Sequence, residues 1–459
     1  MLERETTASI EKKRSKGYYA FLVCLAGFLS QFIVLAAQRV PGVSLELIRE
    51  GMGLTYAEVA LITSWFTIFY AGFGFVWGRM ADRFGPRIAL TASAALAAVG
   101  MILFGLFAHY GLIFAIVIWS IAGFGCAGLY MATLPKLVGK WFVPEKQGFA
   151  MSLITPGGNI ASILIGLFIP TLIVNIGWEK GFLYIGIVVA VIALIIWLCA
   201  RNDPADYGLE PWGAPKGTQA APSIKPVEPE AANAHGDKAA SQGDAVAPTK
   251  TKSAWLRVLG MKITWHYSIM YIIYQLGYMV FTTYFVAMIA SIGFDTVQAG
   301  LSATFGGIGA IIFIFIWGPL SDKFERKNVI AVGTALCGIF TIIYYFVLQN
   351  SPDLWICYLF VFLLTGCIAV TPVFLSSAGD CFPIDIRGTG TGVISTLSII
   401  GRYLGPWIVG ILIDAGGGDV TISALFVGVT MIICAVIAMT LPKMKVMASR
   451  NAKSEVDAN

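Results

Sequence analysis

Twelve apolar runs, each near the ~20 residues needed to cross a bilayer, constrain this chain more than any other feature. They fall at about 18–48, 55–77, 88–108, 111–135, 148–173 and 181–200, and then at about 263–291, 297–317, 329–349, 354–378, 389–414 and 420–441. In lipid the backbone must satisfy its own hydrogen bonds, so segments this long and apolar are expected to be helices. The predicted fold is an all-α membrane protein of twelve transmembrane helices in two six-helix bundles. Only 12% of the 459 residues are charged, against about 25% in a soluble protein. The first run is too long for a signal-peptide core and no cleavage site follows it, so it is expected to remain as a helix. The eight cysteines are scattered through apolar runs without a CxxC spacing, and there are three histidines. Neither pattern suggests a metal site, and no cofactor is expected.

The boundaries expected from the sequence are an N-terminal tail at 1–17, a first bundle at 18–200, a linker at 201–257, a second bundle at 258–441 and a C-terminal tail at 442–459. The linker is rich in Ala, Pro, Lys, Asp and Glu and lacks apolar periodicity, which predicts a flexible connection. With the N-terminus placed in the cytoplasm, 27 of the 31 Lys and Arg fall in cytoplasmic segments. Arg49 and Lys180 alone fall on the opposite side, and Arg39 and Arg402 lie within spans. This asymmetry predicts cytoplasmic termini. It also explains the formal charge of +5 without a nucleic-acid partner.

The two halves repeat each other. "GRMADRFGPR" at 78–87 returns as "GPLSDKFERK" at 318–327, an offset of 240. "WFVPEKQG" at 141–148 is echoed by "CFPIDIRG" at 381–388. Paired six-helix halves are a transporter architecture with the substrate site between them near the midplane.

On these features the chain resembles the major facilitator superfamily over nearly all of its length. That family carries G-x-x-x-D-[RK]-x-G-[RK]-[RK] after its second span. The matching residues here are Gly78, Asp82, Arg83, Gly85 and Arg87. The second copy keeps Gly318, Asp322, Lys323, Arg326 and Lys327 but has Glu325 where Gly is usual. The resemblance implies gating roles for these residues. The stretch from Ala36 to Arg87 is similar to the anion:cation symporters and organophosphate exchangers, which carry an Arg in the first span. "LPKLVGKWFVPEKQG" resembles their fourth-span exit. A cation in span eleven resembles the oxalate/formate exchanger group instead. Two departures put drug/proton antiport in doubt: Trp119 stands where those antiporters carry a fourth-span Arg, and "TPGGN" at 155–159 replaces their fifth-span motif.

The arginines within spans are the leading candidate substrate ligands. Arg39 lies 14 residues before the turn at Gly53, roughly 21 Å along a helix, which predicts a depth near the midplane. Arg402 is expected at a similar depth in the second half. None of the 26 acids is expected near the midplane, and Asp414 is the deepest. A buried unpaired charge is costly, and a cavity holding an anion relieves it. The Arg fork also suits carboxylate or phosphate. The alternative is that each Arg caps backbone carbonyls, with the glycines at 401 and 405 admitting a bulky neighbour. In span seven, Tyr267, Tyr271, Tyr274, Tyr278 and Thr282 recur at helical spacing with Gln275 beside them, which predicts a polar-aromatic stripe facing a cavity. Tyr274, Gln275, Tyr278 and Thr282 join the candidates on this basis. Gln38 and Asn159 complete the set, although buried amides also simply join helices.

The expected function is secondary transport of a small organic anion, a mono- or dicarboxylate, by alternating access. Proton symport and anion exchange both remain open, because no midplane carboxylate is available to carry a proton. The rivals are a drug/proton antiporter and a membrane receptor that binds an anion without moving it. No catalytic constellation is present, so an enzyme is not expected. The expected partners are the anion, protons if they are coupled, and lipid, with the chain a monomer in a bacterial inner membrane.

Overall fold

A computed structural model of the chain describes residues 2–214, 254–350, 352–383 and 386–443. The first half comprises α1 (Leu2–Val43), α2 (Leu45–Met52), α3 (Tyr56–Gly72), α4 (Gly74–Phe84), α5 (Pro86–Phe107), α6 (Leu112–Ala127), α7 (Leu134–Trp141), α8 (Pro144–Ile154), α9 (Pro156–Ile176) and α10 (Trp178–Cys199). The second comprises α11 (Ala254–Gly260), α12 (Lys262–Ser291), α13 (Thr296–Lys323), α14 (Arg326–Leu348), α15 (Leu354–Ile368), α16 (Thr371–Asp380), α17 (Arg387–Ala415) and α18 (Ile422–Thr440). Eleven helical stretches are long and apolar enough to cross a membrane, and counting the bent pair α2–α3 as one span gives twelve. Here α3 runs on into α4 past a single break at Phe73 and supplies the second crossing. The expected all-helical, twelve-span architecture is the one observed.

Several expected spans are interrupted, and the interruptions repeat between the halves. The fourth span breaks at a π-helical turn, Gly128–Ala132, between α6 and α7. The tenth breaks at Ala369–Val370, between α15 and α16. Irregular backbone at membrane depth is tolerated where it is buried in protein or lines a cavity. At the second break, Tyr274 of α12 supplies a missing donor, while Tyr267 fastens α16 beyond it. The Tyr274 hydroxyl donates to the Ile368 carbonyl at 2.8 Å, and that of Tyr267 donates to the Phe374 carbonyl at 2.7 Å.

The linker departs from expectation at its edges. Trp212 pairs its backbone with Trp141 and Val143 at 2.7 and 3.2 Å, and its ring stacks on Phe149. Tyr207 stacks on Tyr19 at 5.0 Å. The packed first half therefore extends to Ala214, and on the other side Ala254–Gly260 is helical. Large aromatics anchor these ends where periodicity gives no signal. Residues 215–253 of the expected linker and 444–459 of the expected C-terminal tail lie outside the described residues.

The halves meet along three helix seams toward the Lys/Arg-poor face, here called the outer face. On the α1–α12 seam, a Cβ on Gly42 would press on the carbonyls of Thr282 and Thr283. On the α9–α13 seam, Thr304 Oγ1 donates to the Ile163 carbonyl at 3.0 Å. On the α3–α17 seam, Ser64 Oγ donates to the Tyr403 carbonyl at 2.9 Å, and Asp414 accepts from the Tyr56 and Ala57 N–H groups, both at 2.9 Å. Glycine at 42 and 410 permits backbone contact, since side chains there would collide with the facing helix.

Candidate functional site

Arg39 stands four residues before the end of α1. Helical side chains lean toward the N-terminus, so its guanidinium reaches back toward the middle of the bundle. There it lines a cavity of about 20 Å³ with Asn159 and Ser162 of α9, Phe285 of α12, Ala303, Gly306, Gly307 and Ala310 of α13, and Thr365 of α15. The cavity wall is therefore shared between the halves. Among the described residues Arg39 has no ion pair and no hydrogen bond, and its guanidinium carbon lies 6.0 Å from the centre of the Phe285 ring. A volume of this size holds about one water. It suits a compact charged group better than a bulky one. Gly307 brings α13 against α9, since a Cβ there would press on Ile163 and the Asn159 carbonyl.

Arg402 sits midway along α17, with a different set of neighbours. Its guanidinium carbon is 5.5 Å from the centre of the Tyr278 ring. Tyr70 of the first half and Tyr271 lie within electrostatic range. Its Nε is buried without a hydrogen-bond partner. Gly401 and Gly405 do not make room for the arginine. A Cβ at either would collide with the backbone of α12 at Ile272 or Leu276, so these glycines set the close α12–α17 approach. Tyr278 also lies within electrostatic range of Arg39. One tyrosine thus stands near both cations, each of which faces a wall that includes the opposite half.

The span-seven stripe divides on inspection. Tyr278 faces the arginines. Tyr274 does not: it is fully buried, and its hydroxyl is committed to Ile368 and to Thr371 Oγ1 at 2.6 Å. In this structure its hydroxyl serves the broken tenth span rather than the arginines. Thr282 is also spoken for, donating to the Met279 carbonyl at 3.1 Å within its own helix. Gln275 is buried beside Tyr271 with Oε1 unpartnered. Asn159 joins Arg39 as expected, while Gln38 does not line the Arg39 cavity. The sequence reading missed Ser162, Thr365, Phe285 and Tyr70. Tyr70 carries a readable signal, because Thr63, Phe66, Thr67 and Tyr70 share one face of α3 at helical spacing. The other three are single residues in apolar runs and announce nothing.

The two loop motifs are also differently wired. Asp82 pairs with Lys136 of α7 at 2.6 Å, and Lys136 also donates to the Gly78 carbonyl at 2.8 Å. Gly85 adopts φ +88°, and a Cβ there would strike Asn202. Arg87 stacks on Trp197 at 4.1 Å, and Arg83 lies over Phe84 at 5.2 Å. In the second copy Glu325 has φ −63°, so no glycine is required. There Arg326 pairs with Asp380 of α16, Lys327 donates to the Leu441 carbonyl at 2.6 Å, and Lys323 lies over Phe324. The motif supplies the acid and α7 the base in the first half, whereas the motif supplies the base and α16 the acid in the second. Gly318 has open space around it, and Asp322 is exposed.

A family model described as the Major Facilitator Superfamily matches residues 27–295 and 267–457. A probable nitrate/nitrite transporter of Mycobacterium tuberculosis, NarK2, is 24% identical over 384 residues, covering 83% of this chain and 86% of that one. The sialic acid transporter NanX of Escherichia coli is 26% identical over 373 residues, covering 79% and 80%. Among solved structures, a D-xylose-proton symporter superposes with a TM-score of 0.72 at 14% identity, covering 93% of this chain and 99% of that one.

Proposed function

The chain belongs to the Major Facilitator Superfamily, and from that premise we propose that it is a secondary transporter of a small organic anion, a mono- or dicarboxylate. Such a protein moves its substrate and does no covalent chemistry. One observation carries the reading: two guanidinium groups lie within the spans, and among the described residues neither has a carboxylate partner. A charge so placed is stabilised by a mobile anion. Transport of anions by relatives named for nitrate/nitrite and sialic acid supports it.

The positions of the arginines support alternating access. Arg39 belongs to the first half and faces a wall built largely by the second. Arg402 belongs to the second and lies near Tyr70 of the first. An anion between them attracts both halves, and its departure leaves two like charges that disfavour closure. Substrate-dependent closure of this kind favours exchange over net flux. We assign Asp82 and its neighbours to gating at the Lys/Arg-rich face, and the charge asymmetry supports a cytoplasmic position for that face and for both termini. We place the chain, as a monomer, in a bacterial cytoplasmic membrane.

The test is a thermal-shift series on purified protein with mono- and dicarboxylates, nitrate and a phosphate ester. A ligand of the folded state raises its stability by mass action, about 2.7 kcal/mol at a hundred times its Kd. Carboxylates are expected to raise the melting temperature. Stabilisation by nitrate alone would instead match the small Arg39 cavity to an inorganic anion and end the carboxylate reading.

A further inference from the structure

Helix α3 begins with four backbone N–H groups that its own turns cannot satisfy. Two are met locally. Glu58 N–H donates to Thr55 Oγ1 at 3.3 Å, and the Thr55 N–H donates to the Glu58 carboxylate at 2.9 Å. This capping box leaves two donors, Tyr56 and Ala57. Both go to one carboxylate from the other half of the molecule: Asp414 Oδ1 accepts from Tyr56 and Oδ2 from Ala57, each at 2.9 Å. Gly410, one turn back on α17, allows this approach, because a Cβ there would collide with the Ala57 backbone.

We propose that Asp414 is the outer latch of the transport cycle, a C-terminal-half carboxylate that caps α3 of the N-terminal half only while the outer face is closed. When the halves part at that face, the two N–H groups pass to water and the carboxylate leaves the positive end of the helix. The contact exists in one state and not the other, which a group must satisfy to bias the equilibrium between them. Asp414 moves with its own half, because Tyr284 of α12 donates to the Pro406 carbonyl of α17 at 2.9 Å. The acids nearby are otherwise engaged: Glu46 accepts from the Tyr56 hydroxyl at 2.9 Å and pairs with Arg49, which also pairs with Glu50. The same span as α3 carries Asp82 at its other end, on α4, where the carboxylate pairs with Lys136 inside its own half. Closure at the outer end thus coincides with an acid crossing between halves there, while the acid at the inner end remains at home.

The experiment measures conformation without substrate, so it stands or falls apart from the anion reading. Spin labels at Lys180→Cys and Ser291→Cys report the outer mouth, and labels at Lys146→Cys and Phe324→Cys report the inner one. All eight native cysteines are buried, which favours selective labelling. Asp414→Asn keeps the shape but replaces one acceptor oxygen with a donor. It is expected to shift the outer-closed to outer-open ratio toward opening by about fivefold, the factor equivalent to losing a typical helix cap. Asp414→Glu keeps two acceptors and is expected to retain most of the closed population. Distance distributions of Asp414→Asn that match the wild type overturn the latch. A Glu variant shifted as far as the Asn variant overturns the role given to the carboxylate.

Discussion

Arg39 and Arg402 lie in opposite halves of the bundle, yet their surroundings differ in kind. Arg39 closes a cavity of about 20 Å³ whose other polar groups are Asn159, Ser162 and Thr365, and whose floor is glycine and alanine of α13. Arg402 sits among phenols, with Tyr278 under its guanidinium and Tyr70 and Tyr271 nearby. A tight polar cavity with a fork-shaped donor fixes one compact charged group, whereas an aromatic shell accommodates the body of a substrate and tolerates variation. Under the proposed function, the comparison leads us to propose that Arg39 takes the substrate's charged head and that Arg402 lies against its remainder.

The largest test of this division is Arg39→Gln. Removing one partner of a buried charge pair costs about 2–5 kcal/mol, so uptake into proteoliposomes should fall by at least about thirtyfold with the protein still inserted. Arg39→Lys keeps the charge but loses the fork, and it should retain only a small residue of activity. Uptake near the wild-type rate in either variant breaks the comparison. Next in size is Arg402→Gln. With a less confined site, its loss should weaken transport by about tenfold, in the range of an ordinary hydrogen bond to a charged group, and change the ranking of substrates that differ in their uncharged part. Loss as complete as in Arg39→Gln, with the ranking unaltered, shows instead that the two cations act as one site. The smallest effect is expected at Tyr274→Phe. Its hydroxyl holds the broken tenth span, so the change should cost about 0.5–1.5 kcal/mol of stability and leave substrate affinity within about twofold. A large affinity loss at unchanged melting temperature returns Tyr274 to the site.

How much of this was readable beforehand depends on the length of the signal. Twenty-residue apolar runs and a ten-residue motif repeated at an offset of 240 are long patterns, and they led to the observed fold and to the family. The arginines were conspicuous because a charge within such a run is rare. The failures concern single contacts. Helical spacing puts Tyr267, Tyr271, Tyr274 and Tyr278 on one face, but that face spans both the arginine site and the α15–α16 break. Which tyrosine serves which depends on a backbone interruption at Ala369–Val370, which Pro372 marks in the sequence without naming the partner of the freed Ile368 carbonyl. Gly401 and Gly405 look like space for Arg402, yet they serve the packing of α12 on α17. Ser162 and Thr365 become notable only once α9 and α15 are brought to Arg39. Glu325 was readable in part: its departure from glycine matches a turn with φ −63°, where the first motif needs +88° at Gly85.

The central claim is that Arg39 holds the anion, and equilibrium binding tests it without the complications of flux. The anion that most stabilises the wild-type protein is titrated against wild type, Arg39→Gln and Arg402→Gln, with the rise in melting temperature as the readout. The account predicts a saturating rise for wild type, a rise displaced to higher concentration for Arg402→Gln, and no rise for Arg39→Gln at any concentration that saturates the wild type. A folded Arg39→Gln protein that is stabilised by the same anion at the same concentration as wild type would contradict it.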